Sequence, residues 1–191
     1  RDTVLRAAGF RQIVTPAHIA ELDLTGDTSA RMHQKWRNRL CKAGQAGTKL
    51  RQIRWTGADH WLFAHEAAQR RTRHYRALPL QLLQAYARAN PRQALIVEAW
   101  DGATPLAAML FLRHGAGATY QTGWTSDAGR AVNAHNLTLA TGMDALANMG
   151  HEMLDLGPID TETNPGLARF QLGAGATARA LGGTWLALPG F

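Results

Sequence analysis

The sequence predicts an α/β protein (in the broader sense, α+β) built on a mixed, mostly antiparallel sheet with helices on both faces. Three observations carry this expectation. Residues 94 to 125 read as three strands joined by two tight turns, Asp101-Gly102 and His114-Gly115-Ala116-Gly117. A helix pattern and one more short strand follow this meander, which makes a β-α-β unit. Two helix patterns precede it, between residue 58 and Asn90-Pro91.

The elements follow in chain order. Leu5 to Phe10 is expected to end a helix stopped by Gly9, and Arg11 to Val14 and His18 to Leu24 alternate as short strands around Pro16. Asp27, Thr28 and Ser29 offer caps for one helix across Ala30 to Ala46, with Met32, Trp36, Leu40 and Ala43 on its apolar side. Lys49 to Trp55 alternates as a strand, and Ala58-Asp59 opens a helix running to about His74. Pro79 opens the next helix, with Leu82, Leu83 and Tyr86 packing inward. Ala94 to Trp100, Leu106 to Arg113 and Ala118 to Thr125 are the three meander strands. Ser126 to His135 reads as a polar loop before a helix carrying Leu139, Met143, Leu146 and Met149. Glu152 to Leu156 is a short strand broken by Gly157-Pro158, and Asn164-Pro165 caps a short helix through Leu172. Ala178 to Leu188 closes as one strand.

Composition narrows the classes of function. The 191 residues are 46% hydrophobic with six Trp, which excludes a disordered chain despite 19 Gly. No run of 18 apolar residues predicts a membrane span, and no signal-peptide pattern is visible at the start. One cysteine, Cys41, can build neither a disulfide framework nor a zinc site, so a reduced, cytoplasmic setting is expected. The histidines lack metal-ligand spacing, no metal is expected, and no phosphate-cradling glycine motif appears. Residues 1 to 76 hold 15 Lys/Arg against six Asp/Glu, whereas residues 77 to 191 hold six against eight. That asymmetry fits a basic face suited to phosphate or RNA, and equally a solvated set of Arg-rich helices.

Three stretches carry a family resemblance. Residues Arg31-Met32-His33-Gln34-Lys35-Trp36-Arg37-Asn38-Arg39-Leu40-Cys41-Lys42-Ala43 form a basic helix of the kind R-x-x-(I/L)-R-K-A. Leu5 to Phe10, then Leu22-Asp23-Leu24, look like the tail of a preceding domain. Asp155-Leu156-Gly157 followed by Asn164-Pro165-Gly166-Leu167-Ala168-Arg169-Phe170-Gln171 is similar to a D-x-G … G-(L/I)-x-x-F-K segment. Together these resemble the GNAT acyltransferase fold in its FemAB-like branch, the peptidoglycan aminoacyltransferases and their relatives. The resemblance implies that residues 1–28 are the tail of a truncated first GNAT-like domain and residues 29–191 a GNAT-like acyltransferase domain.

It also implies a site. In that fold two parallel central strands splay apart, a thioester's pantetheine arm inserts as an extra strand, and the pyrophosphate rests on the next helix's N-terminus. Here the strands would be Ala118 to Thr125 and Glu152 to Leu156. Arg130, Asn133, His135 and Asn136 would meet the pyrophosphate, although the usual glycine-rich loop is degenerate. Asp155 or Asp160 would serve as base, and Tyr120 as proton donor or orienting group. Trp124, Phe170 and Gln171 are candidate substrate contacts. Each has a plain structural alternative: a hydrogen-bonded strand carboxylate for Asp155, a turn or cap for Asp160, core packing for Trp124. Gln171 replaces the family's lysine, and Glu66 to Asn90 has no room for a long tRNA-binding hairpin. The expectation is therefore an N-acyltransferase using acyl-CoA (acetyl-CoA) on an amine-bearing small molecule or peptide. Aminoacyl-tRNA bound through basic residues 31–54 is the alternative donor, and a non-catalytic binding module of the same fold is the other class.

Overall fold

The computed structural model describes residues 2–187. Its elements are α1 (Asp2–Ala7), β1 (Phe10–Val14), β2 (His18–Asp23), α2 (Thr28–Arg31), α3 (Gln34–Gln45), β3 (Lys49–Arg54), α4 (Trp61–Arg73) and α5 (Leu80–Ala89). There follow β4 (Ala94–Asp101), β5 (Thr104–His114), β6 (Gly117–Thr125), α6 (Asp127–Ala131), α7 (Ala134–Asn148), β7 (Met153–Pro158), α8 (Pro165–Gly173), β8 (Thr177–Ala180) and β9 (Thr184–Ala187). Seven strands form one sheet in the order β3-β4-β5-β6-β7-β2-β8, and β1 pairs with β9 apart from it. Every neighbouring pair is antiparallel except β6 and β7.

Alternation along the strands builds two cores. Leu95, Val97, Met109, Phe111, Ala118, Leu154 and Leu156 face α3 and α7, where Trp36, Leu139, Met143 and Leu146 cover them. Ala94, Ile96, Ala108, Leu110 and Leu112 face α4 and α5, which contribute Leu62, Phe63, Leu83 and Ala87. β4 and β5 are buried on both faces, which is why they read as continuous apolar runs. One contact demands glycine: a methyl at Gly142 of α7 would overlap the buried Phe111 ring, so this helix lies unusually close to β5.

The structure departs from expectation at four places. The single helix over residues 30–46 is broken at Met32 and His33, both extended. Met32 turns into the core, and the His33 N–H donates to Gly173 O at 3.0 Å, tying the break to α8. The loop after β6 holds the short helix α6, capped by the Ser126 hydroxyl, which accepts from Gly129 N. The closing strand divides into β8 and β9 around Gly182-Gly183, and its expected last residue, Leu188, lies outside the described residues. Finally, β2 is not the edge of a separate body. It pairs with β7 on one side and β8 on the other, and Ala20, Leu22 and Leu24 join the α3/α7 core. A boundary at residue 28 would therefore cut through a core, because the chain's front supplies an interior strand of this sheet.

Candidate active site where two parallel strands part

β6 and β7 pair only from Gly117 to Thr119 against Met153 to Asp155. Beyond Thr119, β6 continues through Tyr120–Thr125 on β5 alone, while β7 continues beside β2 to Pro158. The two strands thus part, leaving the outer half of β6 with a free edge. The register of β6 slips there too: Phe111 faces Tyr120 and Leu110 faces Thr122, so Gln121 is the extra residue of a bulge. A bulge disrupts the ladder locally and re-aims side chains, and such features concentrate beside active sites. This one begins two residues past the last paired position.

On the α7 side, aromatic rings wall the opening. Tyr120 packs on Phe111 at 6.0 Å between ring centres and edge-on to His135 at 6.5 Å. His135 meets Phe170 at 5.1 Å, and Phe170 meets Trp36 at 6.0 Å. Burial, with a smaller push from Arg130, lowers the His135 imidazole to about 4, so it is neutral near pH 7. Burial raises the Tyr120 phenol well above its ordinary value, with a smaller contribution from Tyr75. Its hydroxyl therefore keeps its proton. Four buried polar atoms around this wall have no partner among the described residues: Trp36 Nε1, His135 Nδ1, Asn136 Nδ2 and Gln171 Oε1.

On the other face a cavity of about 390 Å³ opens. Gln121 and Thr122 of the free β6 segment line it, with Phe63, Glu66, Ala67 and Arg70 of α4 and residues 77–81 and 83 of the α4–α5 connection and α5.

The expected site residues fare unequally. Asp155 stands level with Thr119 at the parting, half-buried, and Oδ1 accepts from Gly157 N at 2.7 Å. Leu154 and Leu156 point to the α3/α7 core, so Asp155 points to the cavity's side of the sheet. Asp160 is a turn residue: it is exposed and accepts from Glu162 N, Thr163 N and the Thr163 hydroxyl. Those hydrogen bonds, led by the Thr163 hydroxyl, hold its carboxyl below the usual range, the opposite of what a base requires. Arg130 is exposed, lies 3.5 Å from Asp127 and donates to Thr125 O. Asn133 starts α7 in the left-handed region without a side-chain cap bond. Asn136 is buried, and His135 is turned into the aromatic wall, so neither lies on an open phosphate loop as expected. Gln171 is buried, and its amide donates to Leu156 O at 2.8 Å, beside the irregular register of β2 and β7. Trp124 belongs elsewhere: it stacks on His65 at 4.2 Å and edges Trp61 at 5.8 Å in the α4 core. The bulge at Gln121 reverses the alternation and so sends it away from Tyr120's face.

Three residues were missed. The sequence places Trp36 on the apolar side of its helix and marks it for nothing more. Glu66 and Arg70 stand four apart, which in sequence resembles a surface ion pair. The available signal was the face: Leu62, Phe63, Glu66 and Ala67 share one side of α4, so a carboxylate falls on its apolar stripe.

Comparison with known proteins agrees with this geometry. Residues 30–176, well over half of the chain, match the family model described as acetyltransferase (GNAT) domain. No curated protein matches. Among solved structures, FemX superposes with a TM-score of 0.72 at 12% identity, over 92% of this chain and 65% of that one. The C-terminal domain of a putative lysylphosphatidylglycerol synthetase from Agrobacterium fabrum gives 0.60 at 14%, over 93% and 62%. A tandem GNAT protein of the clavulanic acid biosynthesis pathway gives 0.54 at 16%, over 94% and 56%. This chain thus spans less than two thirds of each of these longer proteins. With residues 30–176 matched and a mixed sheet laid out as in FemX, the chain belongs to the acetyltransferase (GNAT) domain family.

Proposed function

We propose that the protein is an N-acyltransferase that moves an acyl group from acyl-CoA to an amine by direct attack. The observation that carries this reading is the free half of β6, bulged at Gln121, beside a strand that has turned away. An extended pantetheine arm can add to that edge as a strand would, with main-chain hydrogen bonds fixing its register. The amine nitrogen attacks the thioester carbonyl, the C–N bond forms, and the C–S bond then breaks. The amine's proton is taken by a carboxylate, for which Asp155 at the parting is the candidate. The leaving thiolate is protonated by the Tyr120 phenol, which burial keeps protonated. Arg130 and the uncapped start of α7 supply positive potential for the donor's phosphates.

A second reading has its own support. Lys35, Arg39 and Lys42 on α3, and Lys49, Arg51 and Arg54 on the edge strand β3, are exposed, and none is in an ion pair among the described residues. An aminoacyl-tRNA donor would find phosphate contacts there. Thermal shift with acetyl-CoA, longer acyl-CoAs and bulk tRNA, at low and high salt, separates the two. A CoA-specific rise that survives salt is expected. A rise with tRNA alone, abolished by salt, would replace acyl-CoA with aminoacyl-tRNA.

A further inference from the structure

The cavity beneath β6 holds a charge arrangement that packing does not explain. Glu66 is buried, and its one hydrogen bond among the described residues comes from the Tyr75 hydroxyl at 3.1 Å. Arg70, one helical turn on, lines the same cavity half-buried. Opposite charges four apart on a helix ordinarily pair. Here they do not: no ion pair within 4.0 Å joins them, and the Arg70 guanidinium donates no hydrogen bond among the described residues. Tyr75 takes the carboxylate instead, and Gln69 donates to the Tyr75 oxygen at 3.2 Å, fixing that ring. A buried carboxyl group and a guanidinium, unpaired with each other, thus line one space of about 390 Å³. Phe63, Leu80 and Leu83 add an apolar part to the wall, and Gln81, Gln121 and Thr122 a polar part.

Resting on the acyltransferase reading above, we propose that this cavity is the acceptor site and that the acceptor is a zwitterion: an amine carrying its own carboxylate and an apolar side chain. Glu66 takes the amine, and Arg70 takes the carboxylate through its fork of donors. The apolar wall takes the side chain. Gln121 and Thr122 form the wall shared with the parted strand, so an amine held at Glu66 sits on the side from which an acyl group on β6 can be attacked.

The test is binding and transfer with leucine and with isopentylamine, its decarboxylated counterpart, at saturating acetyl-CoA. Leucine is expected to bind and to be acylated, with KM at least about tenfold below that of isopentylamine, the scale of one charge-assisted contact. Arg70→Gln is expected to erase that preference by raising KM for leucine alone, and Arg70→Lys to restore part of it. Tm and acetyl-CoA binding should stay unchanged in both variants. Equal KM values for the two amines, an Arg70→Gln effect on both alike, or acetyl-CoA binding with no leucine binding would each overturn the zwitterion assignment. Loss of acetyl-CoA binding by the unsubstituted protein would instead overturn the acyl-CoA reading beneath it.

Discussion

Replacing Tyr120 with Phe separates function from packing. The phenol is enclosed by Phe111 and His135, and a methyl at Gly123 would overlap its hydroxyl. Burial, with a smaller contribution from the Tyr75 phenol, raises its pKa. Tyr120 is half-buried and its hydroxyl has no hydrogen-bond partner among the described residues, so only part of the roughly 1–3 kcal/mol cost of burying an unpaired hydroxyl applies. Removing only that oxygen, without a change of ring volume, should leave stability unchanged or raise it by up to about 1 kcal/mol. Proton donation in the transition state is worth about 10²–10⁴-fold in general. A thiolate is a good leaving group, so the lower end applies, and kcat should fall about 10- to 100-fold with KM for the donor little changed. Thiol release under saturating donor and acceptor gives the rate, and urea unfolding gives the stability. An unchanged kcat together with a loss of more than 1 kcal/mol would refute the reasoning, because the oxygen would then be a structural hydrogen-bonding group.

Three further outcomes follow from the same structure. Gly142→Ala should cost about 1–3 kcal/mol in urea unfolding, since the added methyl overlaps the Phe111 ring inside a filled core. Glu98→Ala should cost about 3 kcal/mol and change tryptophan fluorescence. The buried Glu98 carboxylate accepts from Trp61 Nε1 at 2.5 Å and Trp100 Nε1 at 2.9 Å and lies 3.0 Å from His60 Nε2, so its loss orphans both indoles and removes the charge facing the imidazole. The His135 pKa is about 4 in the folded protein against 6.5 unfolded, so the unfolded state binds the extra proton. Its contribution is therefore intact above pH 6.5 and is lost as pH falls towards 4, by about 3 kcal/mol at about 1.4 kcal/mol per unit. His135→Gln should flatten that part of the stability profile, and an unchanged slope would show that the ring is solvated.

Much of the fold was legible because its strongest signals are local. Asp101-Gly102 and the apolar runs of β4 and β5 specify the meander. The strands that part were also correctly paired in advance, as Ala118 to Thr125 beside Glu152 to Leu156. What was illegible depends on contacts distant in sequence. Met32 belongs to an uninterrupted amphipathic pattern, and only the His33 bond to Gly173 reveals why the helix breaks there. His18 to Asp23 alternates like any strand, and nothing local says that it inserts between β7 and β8. At the site, sequence favoured charged residues near strand ends, so Asp160 was named although its neighbours bind it as a turn. Glu66 is one carboxylate on an otherwise ordinary amphipathic helix, and nothing local marks it as facing a cavity. Whether an i, i+4 pair closes on itself depends on what stands between, and here that is Tyr75, a residue past the helix end.

The central claim is that an acyl-CoA thioester docks along the free half of β6. Amide hydrogen exchange with and without acetyl-CoA tests it most directly. The account predicts slowed exchange at residues 120–123 of β6 and near Gly157 of β7, with β3 and β4 unchanged. Protection absent from those residues, or appearing only on α3 and β3 with tRNA, would contradict it.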